Sequence, residues 1–231
     1  MRKIIPFRFR MIEGGNRLVQ RLFHSFINDF LILDGVQHVL AGIAHEGQHF
    51  TFKATDLIHR HVVHVAAGSG VDGSHLFLGV DQMVKYKFNV LQLHLSDDQG
   101  WSIWIETYPK LAGNRFYTKQ DIQELVEYAE QRHVQVVPEI DVPGHTVSLL
   151  AKYPDMACIH QREAEKFIGK TGHMMLCAGN EEVYVMMDDI IREVAGMFKS
   201  PLMHLGGDEA DIPKNWAKCD LCRLLMKKKN Y

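Results

Sequence analysis

Pro201-Leu202-Met203-His204-Leu205-Gly206-Gly207-Asp208-Glu209 reads as a short buried strand that runs into two glycines and then into two adjacent acids. The glycines permit a turn, and the turn sets Asp208 and Glu209 at the strand's exit. Polar chemistry at the carboxyl ends of strands is the habit of parallel α/β proteins. Adjacent acids alone are ordinary surface, so the meaning of this pair depends on what precedes it.

Working back, Asn180 can cap a helix whose first turn holds Glu181 and Glu182, favourable at the positive end of the helix dipole. Val183, Met187, Ile190, Ile191 and Val194 form its apolar stripe. Before it, Val134-Gln-Val-Val-Pro-Glu-Ile140 reads as a strand whose ladder Pro138 ends. Its exit carries Glu139, Asp141, Gly144 and His145. Thr118 and Asp121 have the spacing of a capping box, ahead of the helical face Ile122, Leu125, Val126 and Ala129.

Earlier still, Val80, Val84 and Phe88 recur at helical spacing and lead into the strand Val90-Leu-Gln-Leu-His-Leu95, followed by Asp97, Asp98 and Trp101. Helix then strand, three times over, predicts an α/β protein with a parallel sheet and right-handed crossovers. Acids at every strand exit favour a (β/α) barrel over an open doubly wound sheet. No glycine-rich phosphate fingerprint follows any strand. Residues 1 to about 80 are poorly patterned. His61-Val-Val-His-Val-Ala-Ala67 is a further strand candidate there, and Gly68 to Gly73 a loop.

A chain of 231 residues with 46% hydrophobic and 23% charged residues can supply a core. A net charge of -2 argues against nucleic acid as a bulk electrostatic partner. The apolar runs are too short for a membrane span. The basic start is broken by Pro6, Arg8 and Arg10 and does not read as a signal peptide, which leaves the compartment undetermined. Eight histidines fall irregularly before residue 80, and solvated or partly buried side chains are the plainer reading of them. Cys219-Asp-Leu-Cys222 is a lone CxxC with no second pair in the sequence, so it is read as two plain thiols or a local pairing rather than a zinc site. The methionines at 174, 175, 186, 187 and 197 read as core filler.

Asp97, Asp98 and Trp101 at one exit suit a sugar site, where carboxylates grip hydroxyls and an aromatic face stacks on the ring. Glu139, Asp141 and His145 at the next exit bring an imidazole near carboxylates, and such pairing tunes a general acid. A divalent metal held by Asp97, Asp141 and His145 is the second reading of the same residues.

These motifs resemble one family. His94-Leu-Ser-Asp-Asp-Gln-Gly-Trp101, Pro138-Glu-Ile-Asp-Val-Pro-Gly-His145 and His204-Leu-Gly-Gly-Asp-Glu209 are similar to the successive strand-exit motifs of family 20 glycoside hydrolases, the β-N-acetylhexosaminidases. Lys87-Phe-Asn-Val90, Tyr108-Pro-Lys-Leu111, Leu176-Cys-Ala-Gly-Asn180 and the Trp216, Cys219, Cys222 spacing also fit. The resemblance implies a partial TIM barrel, about the first four βα units of the (β/α)8 fold, over residues 59–231. Residues 1–58 would be an ill-defined N-terminal segment or a remnant of the family's small α/β domain.

It also implies exo-hydrolysis of terminal β-linked N-acetylhexosamine from an oligosaccharide or glycoconjugate, by a retaining mechanism in which the substrate's acetamido oxygen is the nucleophile. Glu209 would be the general acid and base, and Asp208 would hold the acetamide. Asp97, Asp98, Trp101, Asp141 and His145 would support them, and Arg60 would reach the sugar's hydroxyls. No cofactor or metal is required by this chemistry. Oligomeric state is not legible. Family members are often secreted, periplasmic or lysosomal. The alternative is an inactive fragment or a sugar-binding relic, since half a barrel leaves strand edges unpaired.

Overall fold

Three of the predicted apolar runs lie side by side. The computed structural model describes residues 40–42, 62–66, 73–161, 174–207, 209–212 and 215–228. Arg60, Asp208 and the expected boundary at 58–59 lie outside the described residues. The main sheet has five strands: β1 (Leu40–Gly42), β2 (Val62–Ala66), β3 (Val90–His94), β6 (Gln135–Glu139) and β7 (Leu202–His204), in the spatial order β1-β7-β6-β3-β2. From β2 to β7 each strand is parallel to the next one in this sheet. That adjacency is the winding of a (β/α) barrel, although the sheet does not close among the described residues. One feature departs from an all-parallel sheet: β1 runs antiparallel along the free edge of β7.

The helices α1 (Gly73–Lys85), α2 (Lys119–Glu130) and α4 (Glu181–Ala195) precede β3, β6 and β7 respectively, and α3 (Val147–Leu150) is a single turn after β6. The Thr118–Asp121 capping box forms in full, with each side chain receiving the other's backbone N–H. Asn180 caps α4 by accepting from the Glu182 amide at 3.1 Å. Buried stripes on both helices match the predicted positions. The stripe on α1 differs from the expected one. It consists of Leu76, Val80 and Met83, while Val84 is exposed and Phe88 lies beyond the helix end. The true spacing of four and three wraps one face, whereas steps of four drift off it.

Alternation along the strands separates two layers. Leu91, Leu93, Val136 and Met203 join the helices in the main core. The opposite face carries Val90, Val137 and Leu202 as a separate apolar cluster. Above that layer, in register, stand His94, Glu139 and His204. Pro138 lies inside β6, paired with Leu93, and does not end the ladder. The pairing with β7 has its one register pair at Glu139 and His204, so the missing N–H falls where no β7 partner is required.

A hairpin of β4 (Ser96–Asp97) and β5 (Gly100–Trp101) follows β3 and places Asp98 and Gln99 in its turn. A second apolar cluster, Met175, Cys177, Trp216, Cys219 and Cys222 with Cys158, Ala178 and Ala210, packs where α5 (Asp220–Lys228) meets the segment before α4. The methionines expected as filler are all buried. No helix among the described residues is long and apolar enough to cross a membrane.

Candidate active site

The strand ends build an alternating line of carboxylates and imidazoles. His94, Glu139 and His204 terminate three neighbouring parallel strands at one level. His204 Nδ1 lies 3.0 Å from Glu139 Oε1, and Gln92 Nε2 donates to Glu139 Oε2 at 2.8 Å. His94 Nδ1 stands 3.2 Å from the same Oε2. On its other side, His94 Nε2 lies 3.1 Å from Asp97 Oδ2. Asp97 Oδ1 then lies 3.1 Å from Nδ1 of His145, and His145 Nε2 stands 3.7 Å from Glu209 Oε2. The line therefore runs from the buried Glu139 to Glu209, whose side chain is 79% exposed.

The charges along this line follow from the pairing. Burial disfavours an ionised Glu139, yet hydrogen bonds from His204, His94 and Gln92 hold its carboxyl well below the usual range. Asp97 is held low in the same way, against burial, by His145, His94 and the Asp98 amide. His94 is pushed up to about 10 because two carboxylates outweigh its desolvation. The hydrogen bond to Asp97, opposed by burial, raises His145 to about 9. Both imidazoles are therefore protonated at neutral pH, and each offers N–H donors rather than lone pairs.

Neighbouring backbone completes the frame. Asp98 is buried and accepts the Val147 amide at 3.1 Å, so it fixes the start of α3 rather than facing solvent. Ser148 Oγ donates to the Asp97 carbonyl at 2.6 Å. Asp141 accepts the Gly207 amide at 2.9 Å and donates its own amide to Ser96 Oγ at 3.0 Å. It thereby ties the loop after β7 to the loops after β3 and β6. Gly206 has φ +63°, and a Cβ there would lie 1.7 Å from Asp141 Oδ1. Glycine is required on both counts. His145 and Glu209 also take left-handed backbone, both at φ 50°, an uncommon conformation for residues with a Cβ and one that clusters at functional sites.

The structure thus brings Asp97, Asp98, His145 and Glu209 together, with Asp141 bracing the loop beneath. Trp101 departs from the expected stacking platform. It is 2% exposed within the main core, because the buried positions 101, 103 and 105 turn its indole inward. Sequence reasoning also passed over His94, His204 and Gln92 as working residues. The available signal was that three consecutive strands end in His, Glu and His, a polar row where apolar residues otherwise run.

The expected metal set, Asp97, Asp141 and His145, does not assemble as one group. Asp97 and His145 cluster with Asp98, while Asp141 clusters with His94 and Glu139. The four cysteines stand apart from this line and none is in a disulfide, so the local Cys219–Cys222 disulfide is not formed. Nor is the CxxC alone: the fold brings Cys158 and Cys177 to it.

Residues 71–231 match the model of glycosyl hydrolase family 20, catalytic domain. A beta-hexosaminidase of Porphyromonas gingivalis is 35% identical over 162 residues, covering 64% of this chain and 21% of that protein. One from Akkermansia muciniphila is 39% identical over 160 residues, covering 62% of this chain and 32% of its own length. The chain thus spans about a fifth to a third of these curated relatives.

Among solved structures, the Flavobacterium johnsoniae chitobiase superposes with a TM-score of 0.69 at 30% identity, covering 74% of this chain and 27% of that one. A mutant Streptomyces plicatus beta-hexosaminidase in complex with its product GlcNAc gives a TM-score of 0.62 at 34% identity, covering 72% and 35%. These likenesses make the fold TIM-barrel-like α/β.

Proposed function

The chain belongs to glycosyl hydrolase family 20, and on that premise we propose that residues 59–231 carry the catalytic acid and its supporting network for an exo-glycosidase. Its substrate is a terminal, non-reducing β-linked N-acetylhexosamine. The observation that carries this reading is the unbroken line Asp97, His145, Glu209, which ends on an exposed carboxyl. A half-buried anion orients a protonated imidazole, and the imidazole presents an N–H towards the one acid of the line that faces outward.

Glu209 is the general acid. It protonates the glycosidic oxygen as the bond to the anomeric carbon breaks. The attacking group is the substrate's own acetamido oxygen, in the substrate-assisted scheme of this family. Asp208, adjacent in sequence, is assigned the acetamide N–H and the positive charge of the oxazolinium-like intermediate. Glu209 then takes a proton from water as the water opens that intermediate, with overall retention. His145 positions Glu209 and stabilises its anionic form when the proton has been given away. Asp141 holds the turn at Gly207, and Asp98 holds the start of α3, so that the two loops keep their spacing. Arg60 is assigned to the sugar's hydroxyls, and Trp101 supports the site from within the core. The partner is an N-acetylhexosamine-containing oligosaccharide or glycoconjugate.

The test is hydrolysis of aryl N-acetyl-β-glucosaminide and N-acetyl-β-galactosaminide by the purified protein. Release of the aryl group with retention at the anomeric carbon supports the proposal. Turnover no greater than that of the Glu209→Gln variant overturns it.

A further inference from the structure

The four cysteines converge on one point. Cys158 follows a short helical turn (Pro154–Met156), and Cys177 follows Leu176, which bridges back to Ala157. Cys219 ends the turn Trp216–Lys218, and Cys222 lies in the first turn of α5. Their sulfurs stand 3.8 Å apart for Cys158 and Cys222, 3.7 Å for Cys177 and Cys219, and 3.6 Å for Cys177 and Cys222. All four lie within 4.8 Å of one another, and all four residues are buried.

We propose that Cys158, Cys177, Cys219 and Cys222 form a structural zinc site. A zinc ion with four thiolates at about 2.3 Å has sulfur–sulfur edges of about 3.8 Å, which three of the pairs here match at 3.6, 3.7 and 3.8 Å. Disulfides are a poorer account. They need sulfurs at about 2.05 Å and pair each sulfur with one other. Here Cys177 approaches both Cys219 and Cys222, and Cys222 approaches both Cys158 and Cys177, a mutual arrangement that a central ion satisfies. An all-thiolate tetrahedral set selects a soft divalent ion over magnesium or calcium.

The surroundings fit a closed structural site. The Gly179 backbone N–H favours the thiolate forms of Cys177 and Cys222, the kind of outer support that a charged thiolate centre uses. A Cβ at Gly179 would lie 2.3 Å from the Leu221 carbonyl carbon, so the glycine permits the close approach of the two ligand-bearing segments. Trp216 covers the cluster, with its Nε1–H donating to the Leu176 carbonyl at 2.8 Å. Binding exchanges four thiol protons for one Zn²⁺ and leaves two net negative charges, with no change of oxidation state.

The site lies one residue downstream of the proposed catalytic acid in its effect. Ala210 packs into the cysteine cluster and Ile212 packs against it, so the ion anchors the chain just as it leaves Glu209. The zinc has no open position and takes no part in the chemistry proposed above.

The test is elemental analysis of the protein purified under reducing conditions. About one zinc per chain is expected, displaced by Co(II) with the sulfur-to-cobalt charge-transfer bands of tetrahedral thiolate ligation. A Cys177→Ser, Cys222→Ser double variant is expected to lose both the zinc and those bands. Because that variant can misfold, the wild-type measurement decides. Substoichiometric zinc with no Co(II)-thiolate bands after reduction, stoichiometric iron instead, or native disulfides among these cysteines by mass spectrometry would each overturn the proposal. Every readout is independent of glycosidase activity.

Discussion

His145 Nε2 stands 3.7 Å from Oε2 of Glu209, and the opposite nitrogen of the same ring stands 3.1 Å from Asp97. One imidazole therefore links a carboxylate held ionised to a carboxyl that faces outward. Glu209→Gln removes the proposed proton donor while leaving the mostly exposed side chain's shape. Turnover of an N-acetyl-glucosaminide with a poor leaving group should fall by about a hundred- to ten-thousand-fold. The loss should be smaller with a highly acidic phenol as leaving group, because that bond breaks without protonation. Steady-state assays on the two substrates, with an unchanged unfolding midpoint, check this.

Asp97→Asn takes away the anion that raises His145 to about 9. The His145 pKa should move down towards the ordinary 6.5, so the imidazolium is lost at a lower pH. Activity should then fall earlier on the alkaline side, with the limb displaced towards acid. Titration of the imidazole by NMR and a pH–rate profile report the same shift independently.

Stability should depend on pH through the buried row. His94 is raised in the folded state to about 10, above its unfolded value near 6.5. Its contribution is complete below about 6.5 and disappears as pH rises towards about 10. Glu139 and Asp97 are depressed, so their contribution is present above about pH 4 and is lost as pH falls further. His94→Gln should cost about 2 kcal/mol at pH 6, the scale of hydrogen bonds to a charged group. The deficit should shrink at pH 10, where wild type has itself lost the proton. Urea midpoints at the two pH values measure it.

Gly206→Ala should be among the most damaging small substitutions. The added methyl collides with Asp141, and the backbone there is left-handed. A destabilisation of about 3 kcal/mol or more is expected from overpacking and strain together. Chemical denaturation reads the loss, and turnover should fall with it because Asp141 releases the Gly207 amide.

Thr118→Ala tests the local code alone. Loss of the capping box on α2 should cost about 1 kcal/mol, with kcat and KM unchanged because the cap is remote from the line of charges. A shift in either kinetic constant would contradict that separation.

Local patterns were legible because their causes are local. The cap at Thr118, the stripe of α4 and the buried runs of β3, β6 and β7 follow from periodicity and from side chains meeting backbone a few residues away. So did the acids at strand exits, since a parallel sheet puts successive exits at one end. The alternating line was not legible. Whether His94 is protonated depends on Glu139, 45 residues on in sequence and adjacent only through strand register. Trp101 shows the converse, since composition at a strand exit does not say which way an indole turns.

What the sequence by itself determined is therefore the kind of elements, their order and the residues at their ends, all properties of spacing along the chain. What only the tertiary structure decided is which ends meet. Packing gave His145 an anion on one side and Glu209 on the other, and it brought Cys158 and Cys177 to a CxxC that spacing had left alone. Electrostatics and coordination act over a few ångströms of space, and those distances exist only once the chain has folded.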